Sequence, residues 1–266
     1  ISAGGENPDP MATESDEPVY IGPGVICRDF IVGSGAKISD AVVITQCYVG
    51  QCTELAEQFS ADNCVFFANC LFKNGEACSF FAGPYTVSHH KATLLIGGMC
   101  SFLNAGSGSN QSNHLYKLGP VHEGILERGC KTASESYLMW PARIGCYTVV
   151  IGSHYSNSDL SSFPYSYLLE QKAVSTLVPG VNLRSVGTVR DSMKWPARDR
   201  RHEQYQRDRI NFNLLNPYTV DQMLAGREIL SNWHSNHPDK AMVYQGVTIN
   251  AKSVERGLHY YKLGID

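Results

Sequence analysis

The chain has 266 residues, 43% hydrophobic and 18% charged, with 22 Lys and Arg against 25 Asp and Glu. This is a globular composition, too poor in charge for a coiled coil or a disordered protein. The net charge of −3 lacks the cationic surplus that a dedicated nucleic-acid binder needs, so no nucleic-acid partner is expected. No stretch reaches the roughly 18 apolar residues of a membrane span. The nine cysteines are odd in number and confined to the stretch from Cys27 to Cys146. That pattern fits a reducing, cytoplasmic setting better than a disulfide framework.

Residues 1–18 are rich in Gly, Pro and acids and read as a flexible lead-in. They open without a basic or apolar leader and look like the interior of a longer chain or an edge of one, not a signal peptide. From Tyr20 a regular beat sets in. Val32, Ile38, Ile44, Val49 and Leu55 fall five or six residues apart. That spacing is too long for an amphipathic helix and too regular for unrelated strands. Cys64-Val65-Phe66, Cys70-Leu71-Phe72, Cys78-Ser79-Phe80 and Cys100-Ser101-Phe102 repeat a small-x-large pattern. The large residue would fill a narrow prism, and the small one would let the chain turn a corner. Residues 103–135 interrupt the beat. The polar run from Asn104 to His114 reads as an excursion that projects from the coil or lies along its face.

This texture resembles the hexapeptide repeat of left-handed parallel β-helices. The resemblance implies three hexads per coil and a solenoid that buries its core only by stacking neighbouring repeats. An antiparallel sandwich with glycine turns is the weaker alternative. The expected fold is therefore an all-β solenoid, a left-handed parallel β-helix over residues 19–189 with an inserted loop. A linker and α-helical extension would cover residues 190–266. Trp195-Pro196 argues against a continuous helix there. One helix should open at Pro217-Tyr218, with Thr219 as cap and Gln222 closing a capping box. A second should begin near Asn250 and carry Val254, Leu258 and Tyr261 on one face, with Gly264 as its C-terminal cap.

Histidines are the main candidates for chemistry. His89-His90 lies beside an apolar run, and His114 and His122 flank residues 115–121. The stretch Asn113-His114-Leu115-Tyr116-Lys117-Leu118-Gly119 is similar to the Gly-His-Leu-x-Tyr-x-Gly stretch of bacterial glucosamine-1-phosphate N-acetyltransferases. In that β-helix family the histidine is the general base. The tyrosine here stands one place early, and Pro120 replaces the usual acidic residue. The resemblance makes His114 the first choice for general base, with His90 second and Asn113 and Tyr116 beside the reaction. Independently, acyl transfer from a thioester needs a base near neutral pKa and donors for the developing oxyanion, which Asn113 or loop amides could supply. Lys117, Lys131, Arg143 and Arg184 are candidate clamps for phosphates of coenzyme A or a nucleotide-sugar. No Gly-x-Ser-x-Gly elbow or phosphate-binding glycine fingerprint is present.

The chain from about Pro18 also resembles a bacterial hexapeptide-repeat family without an established activity. The stretches carrying this likeness are 19–44, 81–98, 105–120 and 177–189. The leading expectation is acyl or related group transfer from acetyl-CoA or another acyl-CoA to a sugar or nucleotide-sugar. Enzymes of this fold often place the site between adjacent solenoids, so a homo-oligomer, a trimer, is expected. Two alternatives stand beside it. One is a non-catalytic scaffold that binds a glycan or a partner. The other is a zinc enzyme like the γ-class carbonic anhydrases. Their close histidine pair lies five residues apart, whereas His89 and His90 are adjacent and His114 and His122 lie eight apart. No metal is therefore favoured.

Overall fold

The structure, a computed structural model, describes residues 17–112, 123–202, 204 and 206–266. Short parallel strands wind around three faces of a prism. On the first face Ile38, Leu55 and Phe72 sit opposite one another, 17 residues apart each time. On the second, Cys27, Ile44, Ala61, Ala77, Leu95, Gln111, Leu138 and His154 form one inward row. On the third, Val32, Val49, Phe66, Ala82, Cys100, Leu126, Ile144 and Leu160 do the same. The parallel solenoid expected from the six-residue beat is the architecture of the chain. Its interior is filled by inward residues of adjacent coils: the rings of Phe59, Phe66 and Phe72 meet at centroid distances of 4.8 to 5.9 Å.

The corners explain why the beat tolerates such varied residues. At the corner from third face to first, Gly35, Cys52, Asn69, Tyr85, Phe102, Gly129, Tyr147 and Tyr165 all have positive φ. A left-handed conformation costs a non-glycine residue about 1–3 kcal/mol. Each coil offsets that cost with the same bond. The N–H of Cys52 donates to Ser34 O, that of Asn69 to Gln51 O, that of Tyr85 to Ala68 O, that of Phe102 to Pro84 O and that of Tyr147 to Arg128 O, at 2.8 to 3.1 Å. Outside this backbone ladder the side chains stack. Tyr85 lies on Phe102 at 5.2 Å, and Tyr147 on Tyr165 at 5.0 Å. Gly129 supplies no ring between them, and Trp195 lies against both Phe102, at 4.5 Å, and Tyr147, at 6.3 Å.

The cysteines follow the prism. All nine are free thiols. Cys70 and Cys130 donate inward to Gly83 O and Gly145 O, both at 3.3 Å. Cys78 departs from the expected pattern. It is only partly buried, because its place on the second face alternates outward while Ala77 turns in.

Several other expectations change. Most of the polar run from Asn104 is not an excursion but an ordinary coil. Asn104 bridges Val87 and Lys131 on the first face. Asn110–Ser112 is a strand between Leu94–Cys100 and Tyr137–Met139. Ser109, Gln111 and Ser112 are fully buried, with Ser109 accepting a hydrogen bond from Thr132. The Ser109 hydroxyl is bonded between coils, the Ser112 hydroxyl donates to Asn110 of its own strand, and the buried Gln111 amide has no hydrogen-bond partner among the described residues. The added length lies between Ser112 and Glu123: Cys100 and Leu126 are paired although 26 residues apart.

The coil strands end at Val174–Val178, which turns back as an antiparallel hairpin on Tyr167–Gln171 and pairs on its other side with Val247–Ile249 of a later hairpin, Met242–Tyr244 and Val247–Ile249. Helix α1, Val186–Ala197, begins before the expected boundary at 189 and contains Pro196. The proline is tolerated because the helix stops one residue later, so few bonds are lost. Helix α2, Pro217–Asn236, is capped by Asn216. Thr219 is the third residue of its capping box, so the box sits three residues earlier than the sequence suggests. Helix α3, Ala251–Ile265, is capped by Asn250 and buries Val254 and Tyr261. Gly264 is not its cap. The helix runs through it, and a Cβ there would lie 2.9 Å from Met223 Sδ.

α2 and α3 cover the last coil. Tyr261 donates to Pro164 O at 2.9 Å, and a Cβ on Gly226 would lie 2.1 Å from Ser162 O. The described residues between α1 and α2 form a strap along the third-to-first corner. Buried Arg201 pairs with Asp199 and Asp208 at 2.8 and 2.5 Å. Asn69 clamps the strap, donating to Asp199 at 2.9 Å and accepting from Arg200 N at 3.1 Å.

Two outcomes are expected. A Cβ on Gly124 would fall 2.0 Å from the Trp140 ring. Gly124→Ala should therefore lower the melting temperature by the equivalent of about 1–3 kcal/mol, and an unchanged thermal melt would refute this packing. His154 is buried between Ser175 Oγ, at 2.8 Å, and Ile151 O, at 3.3 Å. Burial holds its pKa below the ordinary histidine value. The unfolded chain then takes up the proton first. His154 contributes stability above about pH 6.5 and loses it as pH falls from there. His89 is shifted the same way, by burial and by the charge of His90. Comparing thermal melts at neutral and mildly acidic pH, His154→Asn should show a smaller acid loss than the parent chain. Equal losses would remove His154 from the account.

Candidate functional site

The third face carries an outward row that alternates with the inward one: Ile31, Tyr48, Val65, Phe81, Met99, Ile125, Arg143 and Asp159. Six successive rungs are apolar or aromatic. On the first face the same position holds Lys37, Glu54, Leu71 and Val87 in turn. Phe81 and Met99 remain 41% and 44% exposed, although burying such side chains would be favourable.

Where this row meets the strap and α2, a groove of about 470 Å³ opens. Its floor is Phe67, Phe81, Met99 and Ile125. Its far wall is Asp208 and Arg209 of the strap, with Tyr218 and Thr219 of α2. The Phe67 and Phe81 rings lie 5.1 Å apart. The polar end is built around Glu127, whose carboxylate is nearly buried. Oε1 accepts from Arg143 Nε at 2.9 Å and from the Tyr218 hydroxyl at 2.7 Å. Oε2 accepts from the Cys146 thiol at 3.2 Å. Arg143 Nη2 lies 2.8 Å from Glu127 Oε1 and donates to Tyr218 at 3.0 Å. Burial, and then the hydrogen bond to Glu127, push the Tyr218 phenol up to about 12. Burial and the Glu127 charge likewise push the Cys146 thiol up. Both groups are protonated donors at neutral pH. Arg128 is committed elsewhere: it bonds the Tyr147 hydroxyl at 2.9 Å, bonds Asn211 O and lies 4.2 Å over the Phe102 ring.

The expected site residues are placed unevenly. Asn113, His114, Tyr116 and Lys117 lie outside the described residues. His90 is exposed at the corner between the first and second faces, its ring 4.1 Å from that of His89, and the groove does not include it. Lys131 is on the first face, paired with Asp191 of α1. Arg184 belongs to the turn Val181–Arg184 and lies 5.9 Å from the Tyr260 ring. Of the four proposed clamps that leaves Arg143 at the groove. Among the described residues no three His, Cys, Asp or Glu side chains gather as a metal site. No helix among them is long and apolar enough to cross a membrane.

Glu127, Arg209 and Tyr218 escaped the sequence reading. A coil-period comparison would have found the first. Ile125 pairs with Arg143, which places Glu127 beside that rung. Nothing local marks Tyr218, which reaches Glu127 across 91 residues.

Comparison with known proteins adds the following. No curated protein matches the chain. Among solved structures, Arabidopsis UDP-N-acetylglucosamine acyltransferase is similar over 80% of this chain and 90% of that one, at 14% identity and a TM-score of 0.28. A likeness at that score carries no argument about activity. A family model described as "Domain of unknown function (DUF4954)" matches residues 7–234, which is most of the chain. The solenoid, the strap and most of α2 fall within that match, and the chain belongs to the DUF4954 family.

Proposed function

We propose that this protein transfers an acyl or related group from a coenzyme A thioester to a sugar or nucleotide-sugar. The groove on the third face would receive the donor. The observation that carries this reading is its polarity. An apolar floor suited to an extended chain runs into a polar end that presents Arg143, Arg209 and the Tyr218 hydroxyl. His114 is proposed as the general base. It stands two residues beyond Ser112, a reach of about 7 Å, and Glu123, Gly124 and Ile125 line the third face where the chain resumes.

In this mechanism His114 takes the proton from the acceptor hydroxyl or amine as that atom attacks the thioester carbonyl. The carbon–sulfur bond breaks, and His114 returns the proton to the leaving thiolate. Asn113 and loop amides would stabilise the oxyanion, with Tyr116 close by. Lys117, Lys131 and Arg184 are not needed at the groove. A homo-oligomer, trimeric by the resemblance, would bury the apolar rungs beyond the groove, where Ile31 is 67% exposed.

The same exposed rungs support a second reading, a non-catalytic scaffold that docks a partner on this face. Acetyl-CoA should raise the melting temperature of the intact chain, since a ligand that binds only the native state stabilises it. His114→Ala should slow thiol release from acetyl-CoA, assayed over a panel of sugar acceptors, by about 10²–10⁴-fold. Silence of acetyl-CoA in the thermal shift, with no release in the parent chain, would reject transfer in favour of the scaffold.

A further inference from the structure

We propose that the third-face groove binds an anionic amphiphile, its unbranched apolar chain lying over Phe81, Met99 and Ile125 and its head held by Arg143 and Arg209. This rests on the reading of the groove as a ligand site but not on the transfer chemistry.

The argument begins with the register. Phe81 pairs with Met99, Met99 with Ile125 and Ile125 with Arg143. Parallel strands are about 4.8 Å apart, so the three steps from Phe81 to Arg143 span about 14 Å in a straight line, apolar until the last. A chain lying across the coils meets the side chains of Phe67, Phe81, Met99 and Ile125 and backbone whose polar groups are used in pairing between coils, as the Gly83 N–H is with Cys100 O at 2.7 Å. The floor therefore offers no hydrogen bonds and favours a ligand that needs none there.

The charge at the end of the row selects the head. The groove is lined by three arginines and two carboxylates. Glu127 is saturated by Arg143, Tyr218 and Cys146, and Asp208 is paired with Arg201 at 2.5 Å. Arg143 spends Nε and Nη2 on Glu127 and Tyr218, and its Nη1 has no partner among the described residues. Arg209 is exposed, lines the groove and forms no hydrogen bond or ion pair with a described residue. Two guanidinium groups with free donors at the end of an apolar run are complementary to a carboxylate or phosphate. Glu127 acts here as a positioning residue that holds the Arg143 fork at the end of the row. The volume of about 470 Å³ lies within the range of small-molecule sites.

Calorimetric titration of the intact chain tests this. Dodecanoate and dodecyl phosphate should both bind, and their ratio tells whether the head site prefers a carboxylate or a phosphate. Butyrate and dodecyltrimethylammonium should each bind at least about tenfold more weakly. Met99→Asp, a change at an exposed position that leaves the core intact, should weaken dodecanoate binding by about tenfold or more, and Arg209→Gln by about threefold to tenfold. Circular dichroism melts establish that both variants fold. Equal binding by Met99→Asp and the parent chain, or binding of the cationic probe as tight as that of dodecanoate, would overturn the proposal. So would the absence of any dodecanoate binding. Dodecanoate binding without acyl transfer would retain the amphiphile site and remove the transferase reading. Transfer from acetyl-CoA with no dodecanoate binding would do the opposite.

Discussion

The hydrogen bond from a left-handed corner residue to the coil before it is the constraint on which the molecule depends. A prism must turn three times per coil, and each turn needs a backbone conformation that most side chains resist. Here the strained residue's own N–H is the rung that ties coil to coil, as at Cys52, Asn69, Tyr85, Phe102 and Tyr147. Strain and cohesion are therefore located at the same atoms. This explains why a corner can carry cysteine, asparagine or tyrosine in succession. What it demands is that the next coil arrive in register, not that the residue be glycine.

The same corner joins the solenoid to its extension. Its outward rings form a column with a gap at Gly129, and Trp195 from α1 contacts the rings on either side of it. Phe212 of the strap lies edge-on to both Tyr85, at 5.6 Å, and Phe102, at 6.3 Å. Arg128 leans over Phe102 and bonds Asn211 O. The strap and the first turn of α2 are thus held in place by the column, and they form one wall of the groove. Tyr218 meets Glu127 because α2 begins where the strap ends. The C-terminal segment completes the site rather than standing as a separate unit.

Much of the fold was legible because the interior of a solenoid is repetitive. Val32, Ile38, Ile44, Val49 and Leu55 face inward by the same geometry that spaces them. The cap positions were harder. Thr219 looked like an N-cap because the Thr-to-Gln spacing fits the motif, yet Asn216 three residues earlier makes the better-placed bond. The polar run from Asn104 misled because hydroxyl and amide side chains usually signal solvent. In a stacked coil a hydroxyl can bond the neighbouring turn instead, as Thr132 does with Ser109 and with the N–H of Gly106, while the Gln111 amide is buried without a partner among the described residues. The groove was only partly visible. Arg143 stands out in sequence as a cation of suitable type, but the apolar rungs beneath it are ordinary strand residues there. They become a surface feature only when coils of 18 and 26 residues set Phe81, Met99 and Ile125 side by side.

The pairing of Cys100 with Leu126 and of Leu126 with Ile144 carries a consequence for how such a chain can vary. Extra sequence enters at one vertex, and the winding resumes in phase on the following edge. Length can thus be gained there without re-indexing any other strand, whereas a single residue added inside a strand would turn its inward row outward. Diversification is channelled to the vertices, and the eleven residues between Asn110–Ser112 and Gly124–Leu126, against three between Tyr137–Met139 and Arg143–Ile144, mark where this architecture accepts new chemistry at the least structural expense.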